Sequence, residues 1–504
     1  MASFFGLPAY TAAMDIDPDT CYRALKSRDA RFDGRFFTGV LSTGIFCRPV
    51  CPATTPKRKN CQFFESAAAA MATGLRPCLR CRPEAAPGSP AWKGISTTLG
   101  RALRLISEGA LDEGSVEDLA ARLGMGGRHL RRIFIDHMGA GPKAVAQTRR
   151  LLFAKKMISE TAVPLTEIAL ISGFASVRRF NDAFVKVYGC PPRDLRREGG
   201  RKDKSVTGAA PSGLSLKLSF RPPFDFRQIA GFLNARAVPG LEEAGDDYYR
   251  RTVRLVDGPG VITVRPAHEK NYLIATFQLG GLSDIQQAIM RTRRLFDLDA
   301  EPAEISAHLS LDPALKKLVA ARPGLRVPGA WDPFELSVRA ILGQQVSVGA
   351  AKTFAARLVS TFGEPMQTEN HSLTHLFPLP AALADVDLTV IGLTSRRAAT
   401  VRRMAAAFAD GDIDLTGFEG LAQTIRQLTA LAGIGPWTAN YIAMRAFGEP
   451  DAFPTGDLAL IRSMQSRGVA CDARTLQRRA EHWRPWRAYG ALHLWHGDKK
   501  GPKK

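Results

Sequence analysis

Hydrophobic and polar positions change their spacing along this chain, and the changes mark out its predicted elements. Between about residues 91 and 198, apolar residues recur every three to four positions, which is typical of helices packed on one face. Strict alternation at 214–220 and 272–279 predicts strands, and the alternating runs at 248–256 and 261–265 around Asp-Gly-Pro-Gly predict a hairpin. Helical spacing returns after the last of these strands.

These changes predict a multidomain α+β protein, because 504 residues exceed what one hydrophobic core supports. Breaker-rich stretches at 83–90 and 198–213 separate its segments. We expect, in chain order, a small cysteine-bearing α/β module at 1–90, an all-α module at 91–198, a linker at 199–213, an antiparallel-sheet domain with the start of a helical core at 214–325, an all-α domain at 326–498, and a disordered basic tail at 499–504.

The net charge of the chain indicates the kind of partner that it binds. The formal net charge of +21 favours a polyanion, nucleic acid first, although a merely basic soluble protein is the alternative. The first residues lack a charged region followed by an apolar run, and no run of about 18 apolar residues occurs, so neither a signal peptide nor a membrane span is predicted. We expect a monomer with reduced thiols in the cytoplasm or nucleoid.

Four cysteines carry the first candidate chemistry. Cys47 and Cys51 form one close pair, Cys78 and Cys81 form another, and 26 residues separate the pairs. This spacing predicts one tetrahedral zinc site. Zinc-bound thiolates are usually structural, but a thiolate remains electron-rich and can attack an alkyl group. Of the remaining cysteines, all expected to be inert, Cys61 is close enough to be a spare ligand.

The residues around these cysteines favour the reactive alternative. The runs DARFDGRFFTGVLSTGIFCRPVC and RPCLRC resemble the zinc domain of the Ada family, over most of 15–88. The resemblance implies that Cys47 irreversibly accepts the methyl group of a methyl phosphotriester in DNA, and that Thr43 and Arg76 touch the DNA backbone. Pro52 and Thr54 depart from two basic positions of the family.

Methylation of a zinc thiolate changes the charge of its site. Four thiolates around Zn2+ leave two net negative charges, and a thioether leaves one. Weaker repulsion of DNA phosphates at short range is worth a few kcal/mol. The sequence therefore predicts an affinity switch that needs no large refolding.

Two segments of the helical module carry helix-turn-helix signals, at 115–134 and 164–189. One such segment alone is more simply an ordinary helical hairpin. Two in tandem, joined by a long helix at about 142–160 and followed by the Gly-x-x-Pro-x-x-Leu-Arg pattern of 189–196, resemble the AraC-type DNA-binding domain. Recognition helices present their first residues to the major groove. The candidate DNA contacts are Arg128, Arg132, Arg178 and Arg179.

A glycine hairpin and a later aspartate carry the chemistry of the last segment. Gly433 and Gly435 lie between two apolar helical runs, and Pro436 suits the first turn of the second helix. This predicts a helix-hairpin-helix whose N–H groups bind a phosphate. Asp457 follows 22 residues after Gly435. It is either a plain helix N-cap or the carboxylate of a helix-hairpin-helix/Gly-Pro-Asp glycosylase, facing an extruded nucleotide.

Aromatic residues and one missing lysine define this chemistry further. Strand-cutting members of that superfamily carry a lysine where Trp437 stands, so a monofunctional enzyme that leaves an abasic site is expected. The cysteine content of this half excludes an iron–sulfur cluster, and no nucleotide cofactor is predicted. Trp437 and Tyr441 are four residues apart on one predicted helix face, either as core residues or as a stacking wall that attracts a cationic alkylated base.

The carboxy-terminal half, from 214 to about 497, resembles 3-methyladenine DNA glycosylase II along its whole length. The runs RPPFDFRQIAGFLNARAVPG, RPGLRVPGAWDPFELSVRAILGQQVS and WRPWRAYGALHLW carry the resemblance together with the hairpin. It implies that Asp457 is the catalytic acid/base residue and that Gln345 is the wedge that fills the gap left by the base. Trp437, Tyr441, Trp495 and Phe232 would line the base pocket. Gly456 stands where the family has a second acidic residue.

Together these segments predict one chain that senses DNA alkylation, activates transcription through RNA polymerase, and excises damaged bases from double-stranded DNA. Two alternatives remain. In one, the zinc module is purely structural and positions a glycosylase; in the other, the glycosylase half of a regulator only binds damage.

Overall fold

The computed structural model describes residues 16–87, 97–107, 109–199, 213–369, 371–413 and 421–497. The chain forms two compact units. The amino-terminal unit contains residues 1–91 and 98–207, and the carboxy-terminal unit contains 92–97 and 208–504. Nearly all of the predicted linker, and all of the predicted basic tail, lie outside the described residues.

A small four-stranded sheet organises the cysteine-bearing module. Its order is β3-β1-β2-β4, with β1 antiparallel to both β2 and β3, and β2 parallel to β4. Phe37, Phe46 and Phe64 pack into a buried cluster on this sheet. This module is the predicted α/β fold. The elements are α1 Pro18–Ser27, β1 Phe37–Val40, β2 Ile45–Cys47, β3 Cys61–Phe64, α2 Ala67–Ala72 and β4 Arg76–Pro77, with 3-10 turns at Ala30–Phe32, Arg58–Asn60 and Pro83–Ala85.

The helical module contains both predicted helix-turn-helix pairs. In the first, Ser115 and Asp118 form a reciprocal capping box, and the turn passes through Gly124 at φ +70°. In the second, the hydroxyl of Ser176 accepts the N–H of Arg179 and starts the second helix. The helices are α3 Thr97–Ser107, α4 Val116–Arg122, α5 Gly127–Met138, α6 Pro142–Glu160, α7 Leu165–Ile171, α8 Val177–Tyr188 and α9 Pro192–Gly199.

The two modules of the amino-terminal unit contact each other through buried polar groups. The Ser66 hydroxyl donates to the carbonyl of Met138 at 2.7 Å. The Lys155 ammonium on α6 binds both carboxylate oxygens of Glu84, at 2.6 and 2.7 Å, and both side chains are almost fully buried. Arg82 adds a bond to Glu84 and another to Glu160. A buried ion pair therefore fastens the cysteine-bearing module to the helix that joins the two helix-turn-helix pairs.

The carboxy-terminal unit begins with the predicted antiparallel sheet, in the order β5-β9-β8-β7-β6. The predicted hairpin pairs Tyr249 with Val264 and Leu255 with Gly258. The three-residue strand β6 was not predicted, since so short a segment has no measurable alternation. The elements are β5 Leu214–Ser219, α10 Phe226–Asn234, β6 Glu242–Ala244, β7 Tyr249–Leu255, β8 Gly258–Pro266 and β9 Tyr272–Leu279.

Helices form the rest of this unit around a large apolar core. Buried faces of α14 and α19, which contain Ile341, Leu342, Ile442 and Ala443, lie at its centre. The predicted combination of a sheet domain with an all-α domain is confirmed. The remaining elements are α11 Ile285–Leu295, α12 Pro302–Leu309, α13 Pro313–Ala321, α14 Pro333–Leu342, α15 Val348–Phe362, β10 Glu364–Pro365, β11 His375–Leu376, α16 Pro380–Ala384, α17 Ser395–Ala409, α18 Leu421–Ala430, α19 Pro436–Ala446, α20 Leu458–Gln465, α21 Ala473–Ala480 and α22 Arg487–Gly497, with 3-10 turns at Leu388–Ile391 and Glu481–Trp483.

A buried charge network joins the sheet to the helical core. Arg251 on β7 binds Glu335 on α14 at 2.6 Å, and Arg339 binds Glu242 at 2.6 Å and Glu335 at 2.8 Å. Burial would raise the pKa of Glu242, but the charges of Arg339 and Arg251 hold it below its ordinary value. Within the part of the chain that the structure describes, no helix is both long and apolar enough to cross a bilayer.

Candidate metal centre and candidate active site

The sheet of the first module brings the four predicted ligands together. Parallel pairing of β2 with β4 places Phe46 opposite Pro77, so the next residues, Cys47 and Cys78, leave the sheet side by side. The Sγ atoms of all four cysteines lie within 4.8 Å of one another, and all four are buried. Thiolates about 2.3 Å from a tetrahedral zinc are about 3.8 Å apart, so the cluster fits the ion. Cys61 lies outside it and points its thiol at the carbonyl of Lys57.

The electrostatics of the cluster favour a bound cation. Hydrogen bonds with Cys51, and then with Cys78 and Cys81, raise the pKa of the Cys47 thiol, while the bond with Cys47 lowers the pKa of Cys78. Thiols this close therefore share protons and cannot all ionise alone. Bound Zn2+ would allow four thiolates, and an all-sulfur donor set is typical of zinc.

The four sulfur atoms differ in the backbone N–H groups that donate to them. The backbone N–H of Arg48 donates to Cys81 Sγ at 3.3 Å. Besides the neighbouring thiols, the N–H groups of Ala53 and Cys81 help to lower the pKa values of Cys51 and Cys78, respectively. Among the described residues, Cys47 is the cluster member that accepts no backbone N–H. Its sulfur is therefore the least stabilised as a thiolate.

The predicted DNA contacts of the amino-terminal unit lie at its surface. Thr43 is exposed in the turn between β1 and β2, and Arg76 is exposed on β4 with its guanidinium near Gly189, at the end of α8. The remaining candidates are exposed in the first turns of α5 and α8, where a recognition helix meets DNA, and are Arg128, Arg132, Arg178 and Arg179.

The glycine hairpin of the carboxy-terminal unit has the predicted geometry. Gly433 adopts φ +100°, and a β-carbon there would collide with Thr400. Gly435 caps α19, whose first residue is Pro436, so the N-terminus of an eleven-residue helix meets an exposed hairpin. The Gln344 amide donates to the carbonyl of Gly433 at 3.0 Å and to the Thr438 hydroxyl at 3.1 Å. The hairpin is thus tied to the loop that carries Gln345.

Asp457 caps a helix and also faces a cavity. Its Oδ1 accepts the N–H of Leu460 at 2.9 Å and caps α20. The same oxygen accepts the indole N–H of Trp495 at 3.2 Å, and Oδ2 accepts that of Trp437 at 2.9 Å. Three donors hold the carboxylate at the wall of a cavity of about 970 Å³.

The predicted pocket residues line this one cavity: Trp437, Tyr441, Trp495, Phe232 and Gln345. The rings of Trp437 and Tyr441 stack at 5.3 Å with 8° between their planes, so each covers one face of the other. Phe232 has the Arg236 guanidinium 3.8 Å from its ring centroid, which covers one of its faces too. Gln345 is exposed, with a left-handed backbone at φ +55°.

Sequence reasoning missed several residues of this cavity. Arg236, Arg339, Arg445, Gln344 and His496 also line it. A signal for Arg445 was present, because 437, 441 and 445 share one helix face at four-residue spacing. No comparable signal marks Arg339, which only the packing of α14 against the sheet brings to the cavity wall.

Family models match four successive parts of the chain. Residues 20–84 match the metal binding domain of Ada, and 119–198 match a helix-turn-helix domain. Residues 215–332 match the AlkA N-terminal domain, and 338–488 match the HhH-GPD superfamily base excision DNA repair protein. The metal centre and the aspartate cavity therefore belong to a fusion of a zinc-binding, DNA-binding half with a base excision repair half.

Similar proteins specify this class. The chain is 42% identical, over 96% of its own length and 97% of the relative, to the "Probable bifunctional transcriptional activator/DNA repair enzyme AlkA" of Mycobacterium tuberculosis. The carboxy-terminal half is 35% identical to DNA-3-methyladenine glycosylase 2 of Escherichia coli, covering 56% of this chain and 96% of that protein. The amino-terminal half is 32% identical to the bifunctional transcriptional activator/DNA repair enzyme Ada of Escherichia coli, covering 36% of this chain and 50% of that protein. The chain belongs to the family of AlkA-type bifunctional transcriptional activator/DNA repair enzymes.

Proposed function

We propose that the carboxy-terminal unit is a monofunctional DNA glycosylase that removes alkylated bases such as 3-methyladenine. The observation that carries this proposal is the carboxylate of Asp457, which two indole N–H groups orient within a cavity beside the glycine hairpin. The unit matches DNA-3-methyladenine glycosylase 2 of Escherichia coli over almost the whole length of that protein.

Each residue of the cavity has a place in this reaction. The hairpin at 433–435 holds a backbone phosphate, and Gln345 fills the gap left by the extruded nucleotide. As the bond between C1′ and the base nitrogen breaks, its electron pair leaves with the base, and the Asp457 carboxylate stabilises the cationic sugar. The oxygen of a water molecule then bonds to C1′ and keeps one hydrogen as the new hydroxyl, its other proton passes to the base or to solvent, and an abasic site remains. Trp437 stands where strand-cutting members of the superfamily carry the lysine that forms a Schiff base, so the abasic strand should stay uncut.

The variant Asp457→Asn tests this role. Asparagine keeps an oxygen that can accept the Leu460 N–H, so α20 keeps its cap. We expect release of 3-methyladenine from methylated duplex DNA to fall by at least about 100-fold. Asp472→Asn is the matched control, because Asp472 caps α21 in the same way through the Thr475 N–H. Wild-type rates in Asp457→Asn would refute the catalytic role.

We propose further that Cys47 is a methyl acceptor for methyl phosphotriesters in DNA. Four cysteines would hold one Zn2+, which keeps their sulfur atoms deprotonated and nucleophilic. Cys47 is the thiolate without a backbone N–H donor, and hydrogen bonds to a thiolate reduce the charge available for attack. Its sulfur bonds to the methyl carbon while the carbon–oxygen bond breaks, and the electron pair stays on the phosphate oxygen.

The lost charge on Cys47 supplies the signal. The site then repels DNA phosphates less, so the adjoining helix-turn-helix pairs bind their operator more tightly and activate transcription, with RNA polymerase as the partner of a monomeric activator. Thr43 and Arg76 contact the DNA backbone, and exposed arginines of α5 and α8 read the major groove.

Mass spectrometry after incubation with methylated DNA tests the acceptor. We expect one added methyl group, about 14 Da, on the peptide that contains Cys47. Cys61→Ser is the control variant, since Cys61 lies outside the cluster and its loss should leave the transfer intact. An absence of added mass on all four cluster cysteines would remove the sensor function. Equal DNA affinities before and after methylation would remove the switch.

A further inference from the structure

The inner wall of the glycosylase cavity carries positive charge that no carboxylate neutralises. Five arginines of the described chain line the cavity: Arg236, Arg339, Arg396, Arg397 and Arg445. Arg339 pairs with Glu242 and Glu335. Among the described residues, Arg445 and Arg236 bind only neutral oxygens.

Arg445 is held in place by three hydrogen bonds. It is 94% buried, its Nε donates to the carbonyl of Pro328 at 2.8 Å, and its Nη2 donates to that of Gly329 at 2.9 Å. Its Nη1 donates to the hydroxyl oxygen of Tyr441 at 2.9 Å. An arginine has only donors, so the Tyr441 hydroxyl can accept from Arg445 but cannot donate back to it.

The proton of the Tyr441 hydroxyl is therefore free for a ligand. No acceptor for it occurs in the described part of the chain, and Tyr441 lines the cavity. Burial raises the pKa of Tyr441, but the charges of Arg445 and Arg236 outweigh burial and lower it below its ordinary value. A hydroxyl polarised in this way is a strong hydrogen-bond donor.

Breaking the bond between C1′ and the base nitrogen moves electrons from the sugar to the base. The sugar becomes cationic, and the Asp457 carboxylate stabilises that charge. A base that enters as a cation leaves neutral, whereas an uncharged base leaves with negative charge on its ring nitrogens and carbonyl oxygens. Donors aimed at a developing charge stabilise the transition state more than the ground state.

From this arrangement we propose that Tyr441 is a specificity-determining residue, which donates a hydrogen bond to the departing base and so enables excision of uncharged damaged bases. The inference rests on the glycosylase activity proposed above. Aromatic walls select cationic alkylated purines. Arg236 and Arg445 repel a cation, so hydrogen-bond donation by Tyr441 extends the range of substrates to uncharged bases.

Single-turnover excision by the full-length protein tests the proposal, with duplexes that contain one hypoxanthine, which is uncharged, or one 7-methylguanine, which is cationic. We expect Tyr441→Phe to slow removal of hypoxanthine by about 100-fold and that of 7-methylguanine by less than about 3-fold. The matched control is Tyr489→Phe, because the Tyr489 hydroxyl is committed to Asp297 at 2.7 Å away from the cavity wall. It should slow both substrates equally or not at all.

A second variant tests the source of the polarisation. Arg236→Met keeps an aliphatic chain over Phe232 but removes the charge. We expect slower excision of hypoxanthine, by about 10-fold, and an unchanged or faster excision of 7-methylguanine. Equal losses on both substrates in Tyr441→Phe, or a wild-type protein that excises only 7-methylguanine, would overturn the role of Tyr441 while the proposed glycosylase stands. A wild-type protein that excises neither base would overturn both.

Discussion

The buried ion pair between Glu84 and Lys155 offers the sharpest test of how the amino-terminal unit is built. The ammonium nitrogen lies 2.6 Å from one carboxylate oxygen, and the exposed fractions of the two side chains are 0% and 2%. Lys155→Met keeps a similar volume but leaves a carboxylate buried with one weaker partner, Arg82, at 3.3 Å. Removing one member of a buried pair costs about 3–5 kcal/mol, and Arg82 should keep the loss near the lower value.

Calorimetry of the zinc-loaded full-length protein measures this loss. About 3 kcal/mol in a unit of this size corresponds to a fall in Tm of roughly 10 °C. The double variant Glu84→Leu/Lys155→Met removes both charges and should return to within about 1 kcal/mol of wild type. Arg131→Met is the control, since it breaks the Glu117–Arg131 pair between α4 and α5, which is 62% and 49% exposed. That variant should keep nearly the wild-type Tm, because solvent screens an exposed ion pair.

A loss of stability in Lys155→Met no greater than that in Arg131→Met would contradict the predicted cost of the unpaired carboxylate. A double variant as unstable as the single one would contradict it too, because the cost would then come from lost packing rather than from an unpaired charge. Success would show that the metal-binding module and the helix-turn-helix pairs unfold as one body, and zinc removal should then lower the stability of both.

Three further predictions concern single side chains. Arg48→Met removes the guanidinium that donates to the carbonyl of Cys81 at 3.1 Å, and should weaken zinc binding about 10–100-fold in a chelator competition; an unchanged affinity would contradict this. Burial lowers the pKa of His493 to about 4, so below about pH 6.5 the unfolded chain binds a proton that the folded chain does not. His493 should therefore cost the carboxy-terminal unit about 2 kcal/mol between pH 7 and pH 5, while Asp297, whose pKa burial raises to about 6, offsets part of this loss. In urea unfolding, His493→Gln should gain stability relative to wild type as the pH falls; a difference that does not change with pH would contradict this. Gln344→Leu frees the carbonyl of Gly433 and should lower the excision rate about 10-fold while affinity for undamaged DNA, measured by fluorescence polarisation, stays constant; a parallel loss of affinity would show that the amide serves binding alone.

Local pattern predicted the elements that have a strong period. The strand at Tyr272–Leu279 and the helix at Pro142–Glu160 match the expected bounds, because alternation and helical spacing are each sustained there over several repeats. Strand β6, three residues long, and the two-residue strands β10 and β11 were not predicted. Such segments are strands only because a neighbouring segment supplies their hydrogen bonds.

The candidate sites also divide into features that the local sequence carries and contacts that only folding creates. Two pairs of cysteines at ligand spacing, and a glycine hairpin with an aspartate 22 residues later, are short-range signals that sequence carries in full. Which cysteine lacks a backbone donor is a property of the folded loops. The position of Arg236, from α10, beside Arg445, from α19, depends on the packing of distant helices.

The sequence by itself determined the order of modules and the donor set for zinc, since these depend on residue type and local spacing, and its resemblance to known families indicated the candidate nucleophile and carboxylate. Only the tertiary structure decided that Asp457 both caps its helix and accepts two indole N–H groups, and that Glu84 and Lys155 meet out of water. The physical reason is that the interaction energy of a charged group depends on the groups that surround it. Distant parts of the chain supply those surroundings, and their approach is set by packing rather than by spacing.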